Sequence, residues 1–559
     1  MKPLTSRPPA ASAIANGGGG TGGDVVASTA DSPVIPNVTL PEFVLGQAHQ
    51  RGDKRALVDA ITGRALTYRE LAMDVRRVGA GLAAHGVRAG DVVALCAPNS
   101  IEFVVAWYAA STVGATLTTL NPAFRGEEIT QLLRQARARW LVTSAELFEE
   151  KMHLCAVAAG VHQTFVLGAA DRPPTGAIPF DSLRSEIDPD VPAVRVGPTD
   201  VAFLPWSSGT SGLPKSVVLT HRNLVASLCQ TRPVHRVGED DIVIAALPLF
   251  HAFGFQVTLN LALLQGATVV ILPRFELDAF LTAVQDHAVT RAEVVPPIVL
   301  ALATSGRVDG FDLSSLRVVM AGAAPLDADL ARACAARIGC RIKQGYGMTE
   351  LGGSSHTAPD HGPDKPESIG PALPGVECRV IDNATGAEVG PGEPGELLIR
   401  CAAVMDGYLG NPAATAAMID ADGWLHTGDV VTSDRDGWFR VTGRIKELIK
   451  YKGYQVAPAE LEGVLLTHPA VGDAAVVLSP DEMAGEVPKA FIVLRGSASA
   501  DELVSWLADR VAPYKRVRRV EFVGQIPKSA SGKILRRILV EQEHATRELA
   551  SGREAVMAR

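Results

Sequence analysis

Short apolar runs alternate with helical patterns over roughly the first two thirds of the chain, from about residue 40 to about residue 380. These runs predict buried strands at 140–143, 164–167, 268–272 and 316–320. Between the last two runs, apolar residues fall at helical spacing over 277–284. Strands that alternate with helices predict an α/β fold with a parallel, doubly wound core.

One order of features occurs twice within this part of the chain. An apolar run, a proline, a helical stretch and a Gly-Ala-Thr triplet that opens the next apolar run follow one another in segments 92–116 and 242–268. Two such strand–helix–strand units predict two similar α/β subdomains packed face to face. A chance likeness between ordinary α/β units is the alternative interpretation.

Turn-forming residues become frequent after residue 380, with clusters at 388–395, 410–412, 422–423 and 436–437. Turns of this kind between short strands predict an antiparallel β portion. The last stretch, of just over a hundred residues, has its own predicted helix at 459–466 and further apolar runs. That length is sufficient for a separate domain.

Residues 1–35 have a different composition from the rest of the chain. They contain Pro8-Pro9, four consecutive glycines at 17–20 and almost no large apolar side chains. Burial of so little apolar surface cannot offset the entropy lost on ordering, so we expect a disordered tail.

The net charge and the cysteine content limit the classes of protein to which this chain can belong. The formal net charge is −8 at pH 7, which gives no support for a nucleic-acid partner. Seven cysteines occur without a Cys-x-x-Cys pair, which indicates neither a disulfide framework nor a zinc site and fits a reducing cytoplasm. No apolar stretch reaches the roughly 18 residues that span a bilayer, so we expect no membrane insertion.

A loop rich in hydroxyls and glycines, SSGTSGLPK at 207–215, directly follows the apolar run 201–204. Small residues let backbone N–H groups approach an anion, hydroxyls add donors and a lysine adds a point charge, so a polyphosphate fits. Pro214 stands where the common P-loop has a glycine, and proline has no N–H to donate. Three interpretations are open: a degenerate P-loop NTPase, an enzyme that adenylates a carboxylate, and a flexible Ser/Gly turn.

Further segments carry groups that suit a nucleotide. Segment 344–350, QGYGMTE, combines an aromatic ring that can stack on a purine with a carboxylate that can hold Mg²⁺. Segment 321–325, AGAAP, follows a predicted strand with residues small enough for a flat base to lie against the backbone. Asp429 suits two ribose hydroxyls with Arg444 nearby in sequence, and Lys533 follows a glycine turn. Each has a structural explanation alone, but together they favour a nucleotide enzyme.

This set of motifs resembles the adenylate-forming superfamily of acyl- and aryl-CoA synthetases, and within it most of all the 4-coumarate-CoA ligases. The likeness covers about residue 40 to about residue 540 and rests on SSGTSGLPK, GYGMTE, TGD at 427–429, LIKYKGYQV at 448–456 and SGKILRR at 531–537. It implies a large N-terminal domain over 36–443, made of two doubly wound α/β subdomains and a β subdomain. It also implies a hinge at 444–447 and a small mobile α+β domain over 448–559.

The resemblance implies ATP-dependent ligation of a small carboxylic acid to CoA, and it assigns nucleotide roles to individual residues. The ATP phosphates would be held by Ser207, Ser208, Gly209, Thr210, Ser211 and Lys215, with Thr210 among the catalytic residues. Adenine and the acyl-adenylate would be framed by Ala323, Gln344, Gly345, Tyr346 and Thr349. Glu350 would hold Mg²⁺, Asp429 and Arg444 would bind ribose, and Lys533 would catalyse adenylation.

Further implied roles concern the thiol step and the acid. Lys446 would sit at the hinge, near the nucleotide, and Lys450 and Gln455 would act in the thiol half-reaction. CoA would meet Arg274, Lys452 and Gly453. The acid pocket would be lined by His251, Phe253, Val257, Gly322, Gly345 and Gly353, and His251 resembles the family's gating histidine.

The implied acid pocket departs from that of the plant coumarate ligases. Phe253 stands where those enzymes typically carry a tyrosine, and a site without a polar partner discriminates weakly against apolar analogues. An unsubstituted arylpropenoate, a benzoate-type acid or a medium-chain acid is therefore expected as readily as 4-coumarate. A stand-alone enzyme that loads a carrier protein is the main alternative. An oxygenase of the luciferase kind and an inactive scaffold protein are less favoured, the latter because Glu350 and Lys533 are both present.

Overall fold

The computed structural model describes residues 26–27, 31–168, 173–184, 195–207, 214–452, 454–481, 483–529 and 532–557. Contacts within the chain divide it into two compact units. The first unit comprises Met1–Cys378 and Ile399–Leu425, and the second comprises Arg379–Leu398 and His426–Arg559. Most of the expected tail, 1–35, lies outside the described residues, and the hinge at 444–447 stays a prediction.

Two large sheets form the framework of the first unit. The described strands of the first sheet follow the order Trp206–Ser207, Lys215–Thr220, Val201–Phe203, Thr116–Thr119, Val92–Cys96, Trp140–Ser144, Gln163–Leu167 and Ile178–Pro179, and Gly407–Tyr408 pairs with Lys215–Thr220. Those of the second sheet follow the order Gly353–Thr357, Arg341–Met348, Val318–Ala321, Arg291–Val294, Ile242–Ala245, Thr268–Ile271, Arg55–Asp59 and Ala65–Thr67. The central strands pair in parallel in both sheets, which confirms the predicted doubly wound α/β core.

Helices connect most of these strands. The described α-helices of the first unit are Leu40–Leu45, Ala48–Arg51, Tyr68–Ala84, Ile101–Thr112, Gly126–Ala136, Ala145–Leu147, His153–Ala159, His221–His235, Leu261–Gln265, Leu277–His287, Pro296–Thr304, Ala328–Ile338 and Pro412–Met418. Shorter 3₁₀ and π segments lie at Phe148–Met152, Phe180–Leu183, Phe253–Asn260, Gly306–Gly310 and Thr349–Leu351. Thr39, Thr67 and Thr220 begin their helices with capping boxes, which satisfy backbone N–H groups that have no partner inside the helix.

The two similar sequence segments occupy equivalent places in the two sheets. Val92 pairs in parallel with Thr116 in the first sheet, and Ile242 pairs in parallel with Thr268 in the second. The prediction of two similar strand–helix–strand subdomains is therefore confirmed. Asn99 ties one to the other, since its amide nitrogen donates to the Leu247 carbonyl at 2.9 Å.

The largest buried cluster centres on the helix Ile101–Thr112, which is apolar on nearly all sides. A helix of that composition is expected to lie in the interior. Trp107 on this helix packs against Phe255 at 4.3 Å and against Phe203 at 5.9 Å between ring centroids. The helix therefore joins the first sheet, through Phe203, to the segment that carries Phe255.

One predicted strand begins later than its apolar run suggests. The run 316–320 predicted a strand from Leu316, whereas the strand observed is Val318–Ala321. The Leu316 N–H donates to the Leu313 carbonyl at 3.0 Å, so Leu316 still belongs to the preceding turn. Hydrophobicity alone does not reveal that hydrogen bond.

Two further sheets lie mainly in the second unit. In the first of these the strands Glu377–Ile381, Gly395–Arg400, Leu425–Ser433 and Trp438–Arg444 follow one another in that order. The other sheet has the order Tyr454–Val456, Ile449–Tyr451, Gly485–Leu494 and Val471–Asp481, and Arg519–Phe522 pairs with Gly485–Leu494. The helical elements are Ile445–Glu447, Pro458–Leu466, Ala500–Ala508, Pro513–Lys515 and Arg536–Met557. The predicted antiparallel portion after residue 380 is confirmed for Leu425–Ser433 and Trp438–Arg444.

All seven cysteines are free thiols, and most of them are buried. Burial raises the pKa of the Cys96 and Cys340 thiols to about 12, so both stay protonated and unreactive at neutral pH. Across the described ranges, no helix combines the length and the apolar composition needed to cross a bilayer.

Candidate active site

Two antiparallel strands flank the predicted phosphate loop. Ser207 pairs with Lys215, so the loop leaves and re-enters the first sheet at the same place. Ser207 is buried and Lys215 is half-buried at the two ends of the loop. The predicted phosphate ligands Ser208, Gly209, Thr210 and Ser211 lie outside the described residues.

Glu350, the predicted Mg²⁺ ligand, is held through both its backbone and its side chain. It lies in the short helix Thr349–Leu351, and Met405 donates its N–H to the Glu350 carbonyl at 2.8 Å. The Tyr408 hydroxyl donates to Glu350 Oε1, also at 2.8 Å. Burial and the neighbouring carboxylate raise the pKa of Tyr408, so the phenol keeps its proton and acts as the donor.

Tyr408 also borders the end of the phosphate loop. It lies opposite Val217 on the strand that begins at Lys215. The Lys215 ammonium lies 4.9 Å from the centroid of the Tyr408 ring, which is a cation–π distance. Sequence reasoning missed Tyr408, because the pairing of Gly407–Tyr408 with a strand almost two hundred residues earlier has no local signal.

The surroundings of Glu350 suit Mg²⁺. In the described ranges there is no group of three or more His, Cys, Asp or Glu side chains placed to hold a metal ion by themselves. Mg²⁺ in nucleotide enzymes usually takes one or two carboxylates, with substrate phosphates and water as its other ligands. Because Tyr408 occupies Oε1, the second carboxylate oxygen of Glu350 can serve as the single hard protein ligand.

The motif QGYGMTE forms one arm of a hairpin. Its strand pairs antiparallel with Gly353–Thr357, so that Gly345 faces Thr357 and Tyr346 faces His356. A β-carbon on Gly347 would lie 2.0 Å from the Gly353 carbonyl oxygen, a separation that no side chain can adopt. The hairpin therefore requires glycine at position 347.

Gln344 fastens this hairpin to the loop after the strand Val318–Ala321. Its side-chain oxygen accepts from the Leu326 N–H at 3.1 Å, and its amide nitrogen donates to the Leu326 carbonyl at 3.2 Å. Ala321 pairs with Gln344, and two residues later Ala323 adopts the left-handed conformation, with φ of 68°. The structure therefore brings the predicted adenine-framing residues Ala323 and Gln344 to one edge of the second sheet.

Several predicted acid-pocket residues come together around Gly322. Phe253 and Val257 lie on the π-helical segment Phe253–Asn260, a conformation that recurs at functional sites. Two carbons of the Phe253 ring lie 3.0 and 3.1 Å from the position that a β-carbon on Gly322 would take. The same position is 3.6 Å from the Gly345 carbonyl oxygen. Phe253, Gly322 and Gly345 are therefore neighbours.

Gly353 lies against Gln256, further along the same π-helical segment. A β-carbon there would lie 2.7 Å from Ser227 Oγ and 3.3 Å from Gln256 Cγ. Gln256 donates to the Leu224 carbonyl at 2.6 Å and accepts from Asn260 Nδ2 at 2.8 Å. This buried polar chain, which sequence reasoning missed, fixes the segment that carries Phe253 and Val257.

His251 is uncharged at neutral pH. Desolvation by the surrounding protein lowers its pKa to about 4. Its carbonyl accepts the Phe255 N–H at 2.9 Å, which starts the π-helical segment, and its ring lies 4.8 Å from that of Phe250. A neutral imidazole supplies no positive charge at this position.

The second unit holds the predicted ribose pair. Asp429 and Arg444 are partners across neighbouring strands, and Arg444 Nε lies 2.7 Å from Asp429 Oδ1. Thr427 orients the carboxylate residue, because the Asp429 N–H donates to Thr427 Oγ1 at 3.1 Å. The Asp429 carboxylate is thus buried and held by Arg444, and its binding of ribose stays a prediction.

The predicted thiol-step residues lie on a tight hairpin in the same unit. Lys450 pairs with Gln455 across the strands Ile449–Tyr451 and Tyr454–Val456. The Lys450 N–H donates to Glu486 Oε2 at 2.7 Å, which anchors the base of the hairpin. Lys450 is exposed.

Lys452 stands at the turn of this hairpin, and Gly453 lies outside the described residues. Lys452 has a φ of 47°, and its ammonium lies 5.7 Å from the Tyr451 ring. Lys446 lies in the short helix Ile445–Glu447 that precedes the hairpin. Arg274, the remaining residue expected to meet CoA, is exposed in the first unit and pairs with Glu276 at 2.6 Å.

Lys533 lies in a turn that is braced at both ends. Its N–H donates to Ser529 Oγ at 3.2 Å, and its carbonyl accepts the Ser529 N–H at 2.8 Å. Three residues on, Arg536 pairs with Glu447 at 2.7 Å and with Glu462 at 2.9 Å. These carboxylates raise the pKa of Arg536, so the start of the last helix is fixed by a permanent charge.

Comparison with known proteins places this chain in a family. Residues 45–409 match the model of the AMP-binding enzymes, and residues 460–533 match that of the AMP-binding enzyme C-terminal domain. The chain is 40% identical over 524 residues to 4-coumarate-CoA ligase 1 of Narcissus pseudonarcissus, which covers 90% of this chain and 95% of the relative.

Solved structures agree with that family. The anthranilate CoA ligase AuaEII in complex with anthranoyl-AMP superposes with a TM-score of 0.85 at 28% identity, over 92% of this chain and 98% of that chain. A benzoate CoA ligase from Burkholderia xenovorans LB400 gives 0.81 at 28% identity, over 90% of this chain and 99% of that chain. The chain therefore belongs to the AMP-binding enzyme family.

Proposed function

We propose that this protein activates a flat aryl carboxylic acid, of the cinnamate or benzoate kind, and joins it to CoA. It is an ATP-dependent, AMP-forming acid–CoA ligase with ATP, Mg²⁺ and CoA as reaction partners. The choice of an aryl acid rests on the packing of Phe253 against Gly322, beside Gly345. The half-buried Phe253 ring, which packs on backbone glycine, offers an apolar face that suits a planar ring better than a bulky or charged acid.

Adenylation is the first half of the proposed reaction. A carboxylate oxygen of the acid attacks the α-phosphorus of ATP, the bond to the bridging oxygen breaks, and pyrophosphate leaves. Lys533 stabilises the negative charge that builds on the α-phosphate, and Lys215 with Ser207 and its loop holds the outer phosphates. Glu350 would hold Mg²⁺, which when bound would supply further charge neutralisation of the phosphates.

The remaining nucleotide contacts orient ATP for that attack. Asp429, fixed by Arg444 and Thr427, accepts hydrogen bonds from the ribose hydroxyls. Ala323, Gln344, Gly345, Tyr346 and Thr349 frame the adenine and the adenylate. Orientation of two bound reactants can account for several powers of ten in rate, because their translational and rotational freedom is already lost on binding.

Thioester formation is the second half. The CoA thiolate attacks the acyl carbon, the bond to the phosphate oxygen breaks, AMP leaves, and the thiol proton passes to solvent. A thiol with a pKa near 8.5 needs no strong base at neutral pH, so approach and orientation dominate. The hairpin with Lys450, Lys452, Gly453 and Gln455 positions the thiol end of CoA, and Arg274 meets its charged end.

We further propose that the C-terminal domain rotates about Lys446 between the two half-reactions. Lys533 and the hairpin of Lys450 lie in one unit but serve different steps, which a domain rearrangement would reconcile. A crosslink that holds the adenylation arrangement should abolish thioester formation while pyrophosphate exchange continues. Equal loss of both activities would argue against rotation.

His251 has a gating role in this proposal. It is neutral at the pH of the reaction, because its pKa is lowered to about 4, and therefore does not bind the substrate carboxylate as a cation. Movement of a neutral ring beside Phe253 and Val257 can open or close the approach to the acid. We place the enzyme in the cytoplasm, where its free thiols stay reduced.

The decisive experiment is a pyrophosphate-release screen over cinnamate, 4-coumarate, benzoate, anthranilate and straight-chain C6 to C12 acids. Each acid is assayed with CoA and with a phosphopantetheinyl carrier protein as acceptor. Preferred turnover of an aryl acid together with an aryl-CoA product supports the proposal. A preference for straight-chain acids overturns the acid assignment, and acyl transfer to the carrier alone favours a stand-alone loading enzyme.

A further inference from the structure

We propose that Tyr408 is a positioning residue that keeps Lys215 and Glu350 apart, so that the lysine stays available to ATP phosphates and the carboxylate to Mg²⁺. This inference rests on the proposed function, which gives Lys215 and Glu350 those tasks. The two residues carry opposite charges and both border Tyr408. Without a group between them, their own attraction would compete with binding of the ligands.

The aromatic ring of Tyr408 engages the lysine. Lys215 Nζ lies 4.9 Å from the ring centroid, and no carboxylate in the described part of the chain forms an ion pair with Lys215. A cation over a phenol face is attracted to the ring without being neutralised. Lys215 therefore keeps its full charge for a phosphate.

The hydroxyl of Tyr408 engages the carboxylate. It donates to Glu350 Oε1 at 2.8 Å, while Met405 holds the Glu350 backbone at 2.8 Å. A neutral donor fixes the orientation of the carboxylate and leaves its negative charge in place. An ammonium at the same oxygen would fix it too, but would cancel the charge that attracts a divalent cation.

Tyr408 is itself rigidly placed. It is only 7% exposed, and its N–H donates to Thr415 Oγ1 at 2.9 Å. The neighbouring Leu409 N–H donates to the Ser216 carbonyl at 2.9 Å, which fixes the strand Gly407–Tyr408 to the strand that begins at Lys215. Tyr408 is therefore fixed to the strand that begins at Lys215, at the end of the predicted phosphate loop.

The geometry explains what removal of the ring would do. Lysine has a flexible four-carbon stem, and the ring is the group beneath its ammonium. With a smaller residue at position 408, Lys215 can swing towards Glu350 and form an ion pair in a partly buried setting. That ion pair would lower the affinity for ATP measured without Mg²⁺. It would also reduce the gain in ATP affinity that Mg²⁺ confers.

The test measures ATP binding by calorimetry, once with EDTA and once with Mg²⁺, on the full-length enzyme. Tyr408→Leu is expected to weaken metal-free ATP binding about tenfold, which lies within the range for a partly desolvated cation–π contact. Adding Glu350→Gln to Tyr408→Leu removes the competing charge and is expected to restore most of the metal-free affinity. Tyr408→Phe keeps the ring and is expected to lose mainly the Mg²⁺-dependent gain.

Tyr68→Phe is the matched control, since it also removes one buried hydroxyl in the first unit, where Tyr68 donates to the Ala267 carbonyl at 2.7 Å. It should change neither binding constant. If the double variant binds metal-free ATP as weakly as Tyr408→Leu, the ring is only a packing element and the inference is wrong. If Tyr408→Leu does not fold, Tyr408→Phe decides, because an unchanged Mg²⁺ effect in that variant also overturns the inference.

Failure of the role proposed for Tyr408 can be distinguished from failure of the proposed function. If the wild-type enzyme makes no acyl-CoA with any acid in the screen, the proposed function fails. If the wild type is active and the double variant shows no recovery, only the role of Tyr408 is refuted.

Discussion

The Phe253 ring packs directly against Gly322, with ring carbons 3.0 and 3.1 Å from the position that a β-carbon on Gly322 would take. The ring therefore occupies space that exists only because position 322 has no side chain. Gly345 lies on the same side, 3.6 Å from that position through its carbonyl oxygen. A phenylalanine here contributes a flat apolar wall and no hydrogen-bonding group.

Phe253→Tyr is expected to shift the enzyme towards hydroxylated acids. The new hydroxyl offers a partner to a phenolic substrate, and a lost or gained hydrogen bond of this kind is worth about 0.5–1.5 kcal/mol, or roughly twofold to tenfold. The ratio of kcat/KM for 4-coumarate to that for cinnamate should rise by this factor. Competition assays with both acids measure it directly.

The matched control for that prediction is Phe250→Tyr, on the neighbouring ring outside the predicted pocket. It should leave the ratio unchanged. An unchanged ratio in Phe253→Tyr itself, with normal ATP binding, would show that residue 253 does not face the substrate ring.

Lys533→Met is expected to slow adenylation and to spare the second half-reaction. Removal of one preorganised donor to a developing anion typically lowers the rate roughly 10²- to 10³-fold. Pyrophosphate exchange should fall by that factor, whereas thioester formation from supplied acyl-adenylate should change little. Rapid-quench analysis of both half-reactions measures the two effects.

Lys528→Met is the comparison for this variant. Lys528 lies five residues earlier and pairs with Asp473 at 2.6 Å, so its loss alters the charge of the same segment without removing the predicted catalytic group. Adenylation should stay within a few-fold of the wild type. Undiminished AMP production by Lys533→Met would contradict the proposed mechanism.

Gly347→Ala is expected to disrupt folding of the hairpin. The added methyl group would lie 2.0 Å from the Gly353 carbonyl oxygen, and backbone must move to relieve an overlap of that size. We expect a lower unfolding temperature and poor soluble yield. Thermal unfolding followed by circular dichroism checks this.

Gly463→Ala provides the opposite case. It lies in the helix Pro458–Leu466, and among the described residues no atom outside the backbone of that helix lies within 4 Å of its would-be β-carbon. Alanine should therefore stabilise the helix by about 0.5–1 kcal/mol. Equal unfolding temperatures for Gly347→Ala and Gly463→Ala would mean that the crowding at Gly347 is relaxed in solution.

Acid pH is expected to destabilise the protein partly through His356. Burial lowers the pKa of this side chain to about 3, against about 6.5 in an unfolded chain. The unfolded state therefore binds more protons than the folded state between those values, and stability should fall as the pH drops from about 6.5 towards 3.

The variant His356→Gln tests this pH dependence. Glutamine does not titrate and can still hydrogen-bond to Ser355, whose hydroxyl lies 3.0 Å from His356 Nδ1. Unfolding temperatures measured from pH 7 to pH 4 should decline less steeply than those of the wild type. If the unfolding temperatures of variant and wild type fall equally with pH, the loss of stability in acid arises at other buried histidines. His221, whose pKa is lowered to about 4, is one of these.

The fold was accessible from sequence wherever a local period or repeat was present. The repeated segments predicted two strand–helix–strand units, and the observed pairs Val92–Thr116 and Ile242–Thr268 are parallel, as such units require. The closeness of Asp429 and Arg444 also followed from their short separation in sequence, and the hairpin that joins them makes them direct partners.

Features that depend on distant pairing were not accessible. Tyr408 reaches Glu350 and Lys215 only because a two-residue strand pairs with Lys215–Thr220. The packing of Phe253 on Gly322 likewise depends on how a π-helical segment meets a loop from another part of the second sheet. No periodicity or motif encodes such contacts, because they arise from tertiary structure.

Gly347 shows that a residue of a recognisable motif can remain necessary for folding after the chemistry that usually accompanies the motif has been lost. Its place is dictated by a carbonyl oxygen of the opposite arm, independently of any bound nucleotide. A duplicated copy of this gene product that had stopped making thioesters would still need that glycine in order to fold. For descendants of this chain, catalytic competence is therefore better judged from Lys533 and Glu350, the residues proposed to act on ATP and Mg²⁺, than from the glycines of the signature.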